Sequence, residues 1–470
     1  MAGKPLRDAS CVASVAVASL LLTGCSVETP YQAPKFFFAS TYTGHKDTAP
    51  VLLNNVAWWE GLKDPTLNSL VQRALAGSLS LAIATERVRE AKADLAAVPT
   101  QVTANSDASV VRQKEVADTP ETRADASLGL SWMLDPFGEQ RLRKEASRAR
   151  VEVADAEVDA ARLLLLFNLA NAYVDLRFNQ RALVVRQKEV TSREETLELT
   201  ESLLDKDAAT KLDLVRAQAR LAEARATVPG IRARIQGQKN QIATLLGTTP
   251  GRLDVNLDAG ARQPMPRMST GVGIPADLVR NRPDIRIAER LYYAAVAETG
   301  VARADLYPKL SLGGAISLAR VGGNTGPEYF FGPAIALPTL PLQTGRARVA
   351  AQESRARQAH TNWTSTVINA IREVEDALSD YAQSRAATEQ ARNAVELYGE
   401  AVDLTRGMIA LNGATLNELL DDEENLSDAE IALAANLRAQ ALAFVALNSS
   451  LGATVQGSGS PTVVASAGSE

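Results

Sequence analysis

Cysteine is nearly absent from this 470-residue chain: the 2 present, Cys11 and Cys25, both fall within the first 25 residues. The rest of the chain therefore has neither a disulfide framework nor a thiolate nucleophile. Histidine is equally scarce, with His45 and His360 far apart, which excludes a His-rich metal site. Aromatic residues make up 5% against 46% hydrophobic overall, so the core is built from Ala, Leu and Val, as long helices prefer. The net charge is -5 and no large basic patch stands out, which argues against nucleic acid as a partner. There is no G-x-S-x-G, no P-loop and no H-E-x-x-H. Asp and Glu are plentiful, but they read as solvated helix faces. Neither an enzyme nor a cofactor or metal is expected.

Glycine and proline are missing from a long internal stretch, Glu139 to Val228. Without breakers such a run reads as helix, and 60 helical residues would extend about 90 Å. A break near Asp207-Ala208-Ala209-Thr210 would fold it into an antiparallel hairpin. The second half of the chain repeats this plan. Ala209 to Gly247 aligns without a gap on Ala414 to Gly452, a shift of 205 positions. Ala209-Thr210 matches Ala414-Thr415, Asp213-Leu214 matches Glu418-Leu419, and Leu246-Gly247 matches Leu451-Gly452. In the second copy the break is Asn412-Gly413-Ala414-Thr415, with glycine expected to make the turn. The period is too long for a solenoid and implies one large duplicated unit.

Residues 1–24 read as an address. Lys4 and Arg7 precede an apolar stretch from Cys11 to Leu22, too short to span a bilayer. Leu22-Thr23-Gly24-Cys25 resembles the lipobox of bacterial lipoproteins, which implies acylation at Cys25. Ser26 after that cysteine implies the outer membrane. Residues 25–60 are expected to be an extended tether, since Pro30 and Pro34 forbid regular helix there. Repeat 1 would cover 61–247 and repeat 2 would cover 276–452. A Gly/Pro-rich linker, 248–275, joins them, and 453–470 forms a disordered tail.

Within each repeat the hydrophobic period changes. Leu67, Leu70, Val71, Ala74 and Leu75 share one helical face, and that helix is expected to run to Ala97, before Pro99. From Val102 the period becomes two. Val102, Ala104, Ser106, Ala108 and Val110 form one side of a strand. Ala126, Leu128, Leu130, Trp132 and Leu134 form one side of the next, after a charged loop, Arg112 to Arg123. No residue from Ala126 to Leu134 is charged. The strand pair at 102–134 recurs at 310–338. There Leu310, Leu312, Gly314, Ile316 and Leu318 are followed by a loop, Val321 to Pro327, and by Tyr329, Phe331, Ile335 and Leu337. Ten tilted residues is the length of a membrane-crossing strand. The gathering of Tyr307, Tyr329, Phe330 and Phe331 at this hairpin's ends fits an interfacial girdle.

Four strands cannot close a barrel around a pore, and lipid tolerates no open sheet edge. Such strands must close with strands of other chains, whether two, three or four chains in all.

The chain is similar to the outer membrane factors, the TolC-like, NodT-type lipoprotein family of bacterial export pumps. The motifs that carry the likeness follow the family's order. They are Leu22-Thr23-Gly24-Cys25 with Pro30-Tyr31-Gln32-Ala33-Pro34; Trp58-Trp59 with Asp64-Pro65-Thr66-Leu67; Ser131 to Gly138; Arg282-Pro283-Asp284-Ile285 leading through Glu289 to Tyr307-Pro308; and Leu419-Leu420-Asp421. The resemblance implies an α+β membrane protein, a homotrimer with a twelve-stranded transmembrane β-barrel continued by a long periplasmic α-helical barrel. It implies a periplasmic adaptor and an inner membrane transporter of the resistance-nodulation-division type as partners, with outer membrane lipid around the barrel. The protein would be a passive gated duct for small molecules. A type I protein secretion duct and a poreless lipid-anchored coiled-coil scaffold are the competing readings.

The acidic cluster after the second turn is the candidate gate. Glu418, Asp421, Asp422, Glu423 and Glu424 sit at a helix start, where acids also favour the helix dipole. The resemblance places Asp421 at the closed periplasmic end, facing the lumen, with Glu418, Asp422 and Glu424 as lesser candidates. The family often carries an arginine three residues after this aspartate, where Glu424 stands here. Gly413 and Thr210, at the two hairpin turns, are the expected adaptor contacts.

Overall fold

The computed structural model describes residues 31–34, 36, 57–113, 121–258, 262–266, 282–321, 324–409 and 413–452. The signal segment, Cys25, residues 259–261 and 267–275 of the linker, the tail and Asn412 lie outside the described residues. A single 3-10 turn, Trp58–Leu62, opens the described body. Then come α1 (Pro65–Gly77), α2 (Leu79–Ala97), β1 (Val102–Gln113), β2 (Glu121–Leu134), α3 (Glu139–Leu204) and α4 (Lys211–Leu245). The second copy supplies α5 (Pro283–Ala304), β3 (Lys309–Val321), β4 (Asn324–Ala336), α6 (Gln343–Ile409) and α7 (Leu416–Ser450). The duplication is therefore carried by element lengths as well as by sequence. The long helices have 66 and 67 residues, and the return helices 35 each.

The chain divides into two compact units. One contains all four strands and comprises residues 1–36, 87–155 and 286–365; the other comprises 37–86, 156–285 and 366–470. In the first, the strands form one antiparallel sheet of order β1-β2-β3-β4. In both pairs the strands run further towards the turn than the expected loops allow. Arg112 pairs with Thr122, and Asn324 to Pro327 pair back onto Val321 to Leu318. The loops expected at Arg112–Arg123 and Val321–Pro327 thus give residues 112, 113, 121–123, 321 and 324–327 to the ladder. Polar side chains do not end a strand while backbone partners remain in reach.

The second unit holds the main hydrophobic core. Trp58, Leu62, Leu67, Leu70, Leu166, Leu169, Tyr173, Ile242 and Phe444 are all essentially buried. Asp64 organises the entry to α1: its Oδ1 accepts from the N–H of Thr66 and Leu67, and its Oδ2 accepts from the Tyr173 hydroxyl at 2.8 Å. Pro65 at the first helical position loses no hydrogen bond there. The Asp-Pro-Thr-Leu motif is therefore a helix start fastened to the core of this unit. Burial first, and then the charge of Asp64, raise the Tyr173 phenol well above its ordinary value.

The helix expected from Leu67 to Ala97 is broken at Gly77-Ser78. The cause lies at the end of α4. Gly247 has φ of 73°, and a Cβ there would lie 2.2 Å from the Gly77 carbonyl. A Cβ on Gly77 would lie 2.7 Å from the Leu246 carbonyl. Two glycines let backbone meet backbone, and the helix yields. The 205-residue shift carries Gly77-Ser78 onto Arg282-Pro283, where α5 begins. There Gly452, with φ of 68°, closes against Arg282, whose guanidinium donates to the Ser450 carbonyl and to Asp284 and Glu373.

The two hairpin turns are built alike. The N–H of Ala208 donates to the Leu203 carbonyl at 2.8 Å, and that of Asp207 to Leu204 at 3.0 Å. Asp207 is left-handed with φ of 57°, which completes a Schellman end. In copy two the N–H of Gly413 donates to Met408 at 2.9 Å. Gly413 is thus the counterpart of Ala208, and it adopts no left-handed conformation. The expectation that glycine makes this turn is corrected: Gly413 is not left-handed, and in the first copy the left-handed conformation falls on Asp207, a residue type that tolerates it. Thr210 and Thr415 then cap α4 and α7 through matching capping boxes with Asp213 and Glu418.

Candidate functional site

Two features of the described residues offer function: one side of the sheet, and the acidic start of α7. The register of the sheet sorts its residues. Leu128 faces Ser106 and Ile316; Leu130 faces Ala104 and Gly314; Trp132 faces Val102 and Leu312. Tyr329, Phe331 and Ile335 on β4 pair with Ile316, Gly314 and Leu310. All these residues lie on one side, since side chains alternate along each strand. Among them Leu130 is 57% exposed, Ile316 65% and Phe331 77%. The other side carries Asn105, Asp107, Asp125, Ser127, Ser131, Ser317 and Glu328. The apolar side carries charge only towards the turns, at Arg112 and Arg320, and such a sorting suits lipid against one side and water against the other. The first and last strands, β1 and β4, each have one unpaired edge among the described residues.

At the start of α7 the five acids do five different things. Glu418 accepts the Thr415 N–H at 2.7 Å and its hydroxyl at 3.0 Å. Those bonds, the backbone one foremost, lower its pKa, so it serves the cap of its own helix. Asp421 is exposed and has no hydrogen bond or ion pair among the described residues. Asp422 accepts the Thr405 hydroxyl of α6 at 2.6 Å. Glu424 lies 2.7 Å from Arg220 of α4. The arginine that the family often places at position 424 is absent, and α4 supplies one to the acid that replaced it.

Glu423, named in the cluster but not singled out as a gate residue, is the buried member, with its side chain 6% exposed. Its Oε1 accepts from the Ser192 hydroxyl of α3 and from Arg406 of α6, both at 2.8 Å. Its Oε2 lies 3.6 Å from Arg193 of α3, an ion pair too long for a hydrogen bond. Arg193, also buried, donates to the Leu420 carbonyl at 3.0 Å. One carboxylate thus joins three helices beside a cavity of ≈ 310 Å³ lined by α3, α6 and α7. The signal in the sequence was a run of polar residues at helical spacing, Arg193, Thr196 and Thr200, where a buried face should be apolar. Gly413 and Thr210 occupy the two turns, both exposed.

A lipid-facing sheet joined in sequence to long helical hairpins is the build of an outer membrane export channel. The model of the family described as outer membrane efflux protein matches residues 70–248 and 274–453. Nodulation protein T of Rhizobium leguminosarum bv. trifolii is 34% identical over 448 residues, covering 92% of this chain and 95% of that protein. The pyoverdine export outer membrane protein OpmQ of Pseudomonas putida is 28% identical, with 92% and 95% covered. Among solved structures, the outer-membrane channel OprN superposes with a TM-score of 0.83 at 30% identity, covering 92% of this chain and all of that one. VceC of Vibrio cholerae gives 0.76 at 25%, covering 86% of this chain. The chain belongs to the outer membrane efflux protein family. It is an efflux channel of the outer membrane.

Proposed function

We propose that three copies of the chain close one barrel of twelve strands, and that their helices continue it as a periplasmic duct. The observation that carries this reading is the pair of unpaired edges on a sheet whose apolar side is exposed. In lipid each edge N–H and C=O needs a partner, which only a neighbouring sheet supplies. Two copies would give eight strands, whose interior side chains fill. Three leave a passage. The duct is passive, Cys25 carries the acyl anchor, and a periplasmic adaptor joins the channel to an inner membrane transporter of the resistance-nodulation-division type, whose energy drives export of small molecules.

The closed state is held at the helical turns. Asp421, exposed and unpaired, is the residue free to face the lumen, and symmetry would make it a ring of carboxylates that favours cations. Asp422, Glu423 and Glu424 hold α7 to its neighbours, and Glu418 holds its cap. Adaptor binding at the turns around Thr210 and Gly413 shifts the α6–α7 hairpin between two packed states. Chemical cross-linking of the detergent-purified protein tests the assembly. A ladder ending at three chains, absent when the protein is heated before the cross-linker is added, is expected; a monomer that stays soluble without detergent refutes it.

A further inference from the structure

Beside the base of the sheet, α3, α5 and α6 enclose a cavity of ≈ 460 Å³ that export as such does not explain. Four arginines line it: Arg143 and Arg150 from α3, Arg348 and Arg355 from α6. Seven residues apart on a helix is one face, two turns on. The two pairs are related by the same 205-residue shift that relates the two copies, so the duplication doubled one arginine face. Their charges are not equally spent. Arg143 pairs with Glu139 at 2.8 Å and Arg150 with Glu298, while Asp305 is taken by Lys309 at 2.8 Å. Arg348 and Arg355 have no carboxylate partner among the described residues.

We propose that this cavity binds a phosphate-bearing anion, held by Arg348 and Arg355 with Arg143 and Arg150 at its margin. A guanidinium presents a planar fork of donors that matches phosphate oxygens two at a time. Two unspent forks on one face form a divalent clamp. Both arginine-bearing helices follow directly on membrane strands, β2 into α3 and β4 into α6. The clamp therefore lies at the level where the headgroups of the adjoining leaflet carry their phosphates. An anionic lipid headgroup and a soluble phosphate share this chemistry. Bound there, either would also cancel the repulsion between the two cations.

The test uses the full chain, purified in detergent in phosphate-free buffer, with native mass spectrometry for lipid and thermal shift for soluble anion. The probes are phosphatidylglycerol, phosphatidylcholine and pyrophosphate. Arg348 and Arg355 are exposed and unpaired, so Arg348→Gln/Arg355→Gln removes the clamp without opening a core. The expected result is binding of phosphatidylglycerol, over phosphatidylcholine, that weakens by about ten-fold for each arginine lost. Arg346→Gln, on the same helix but outside the cavity, leaves it unchanged. Stabilisation by pyrophosphate alone, lost in the double variant, assigns the site to a soluble anion. Binding by neither probe, or binding that survives in the double variant or falls equally with Arg346→Gln, overturns the proposal.

Discussion

Removing the Glu423 carboxylate leaves a buried cation behind. In Glu423→Ala, Arg193, whose side chain is 3% exposed, keeps its bond to the Leu420 carbonyl and the half-exposed Glu424 at 4.0 Å, but loses its one buried counter-charge among the described residues. At 3.6 Å the pair attracts by about 5 kcal/mol at an effective dielectric constant near 20, before desolvation is counted. Breaking one partner of such a pair costs about 3–5 kcal/mol. Arg406, 48% exposed, adds little, since surface ion pairs contribute roughly 0–1 kcal/mol. The loss falls locally on the α3–α6–α7 junction, so amide exchange in the first turns of α7 should quicken by at least about 100-fold. In planar bilayers the same variant should leak more. The double variant Arg193→Met/Glu423→Leu should recover most of the protection, because it leaves no buried charge unpaired. Exchange unchanged in Glu423→Ala, or a double variant as unprotected as the two singles added together, would refute the assignment of this carboxylate as the tie.

Leu130→Arg puts a charge in the middle of the lipid-facing side and should cost about 2–4 kcal/mol on insertion, seen as loss of the protein from outer membrane fractions. Normal insertion would mean that this side does not meet lipid. Asp421→Ala should lower cation selectivity in planar bilayers while leaving assembly intact; equal selectivity removes it from the constriction. The caps of α4 and α7 are acid-sensitive. Asp213 is lowered by hydrogen bonds from Thr210, and Glu418 by those from Thr415. A depressed carboxylate stabilises fully above its unfolded pKa, about 3.9 for Asp and 4.3 for Glu, and that contribution is lost as pH falls through the lower folded value. Protection at residues 211–214 and 416–419, taken as exchange relative to the unstructured rate at each pH, should therefore stay flat from neutral pH to about 5 and fall only in stronger acid. Asp213→Asn/Glu418→Gln should abolish the acid step.

Periodicity carried the sheet and the absence of Gly and Pro carried the long helices, because both are local properties of the chain. The uncharged run from Ala126 to Leu134 shows as the exposed side of β2 for that reason. What escaped local reading was long-range. The break at Gly77-Ser78 depends on a backbone carbonyl arriving from Leu246, 169 positions away by subtraction. The duplication alone hinted at it, through Arg282-Pro283. Glu423 escaped for a similar reason. Nothing next to it distinguishes it from Asp422 or Glu424, and its role comes from Ser192 and Arg193 on another helix. At Gly413 a residue type suggested a conformation that the first copy achieves with Ala208 in the same hydrogen bond, so glycine there is a convenience and not a requirement.

The two unpaired margins of the sheet also bear on genetics. A chain that never reaches the membrane harms no other, so its loss is recessive. In the proposed barrel, a chain damaged only along β1 or β4 still offers one sound edge, recruits healthy siblings through it, and strands them in rings that cannot seal. Lesions on those two strands should therefore act dominantly over a normal allele, whereas equally severe lesions inside β2 or β3 that prevent the sheet from forming should not.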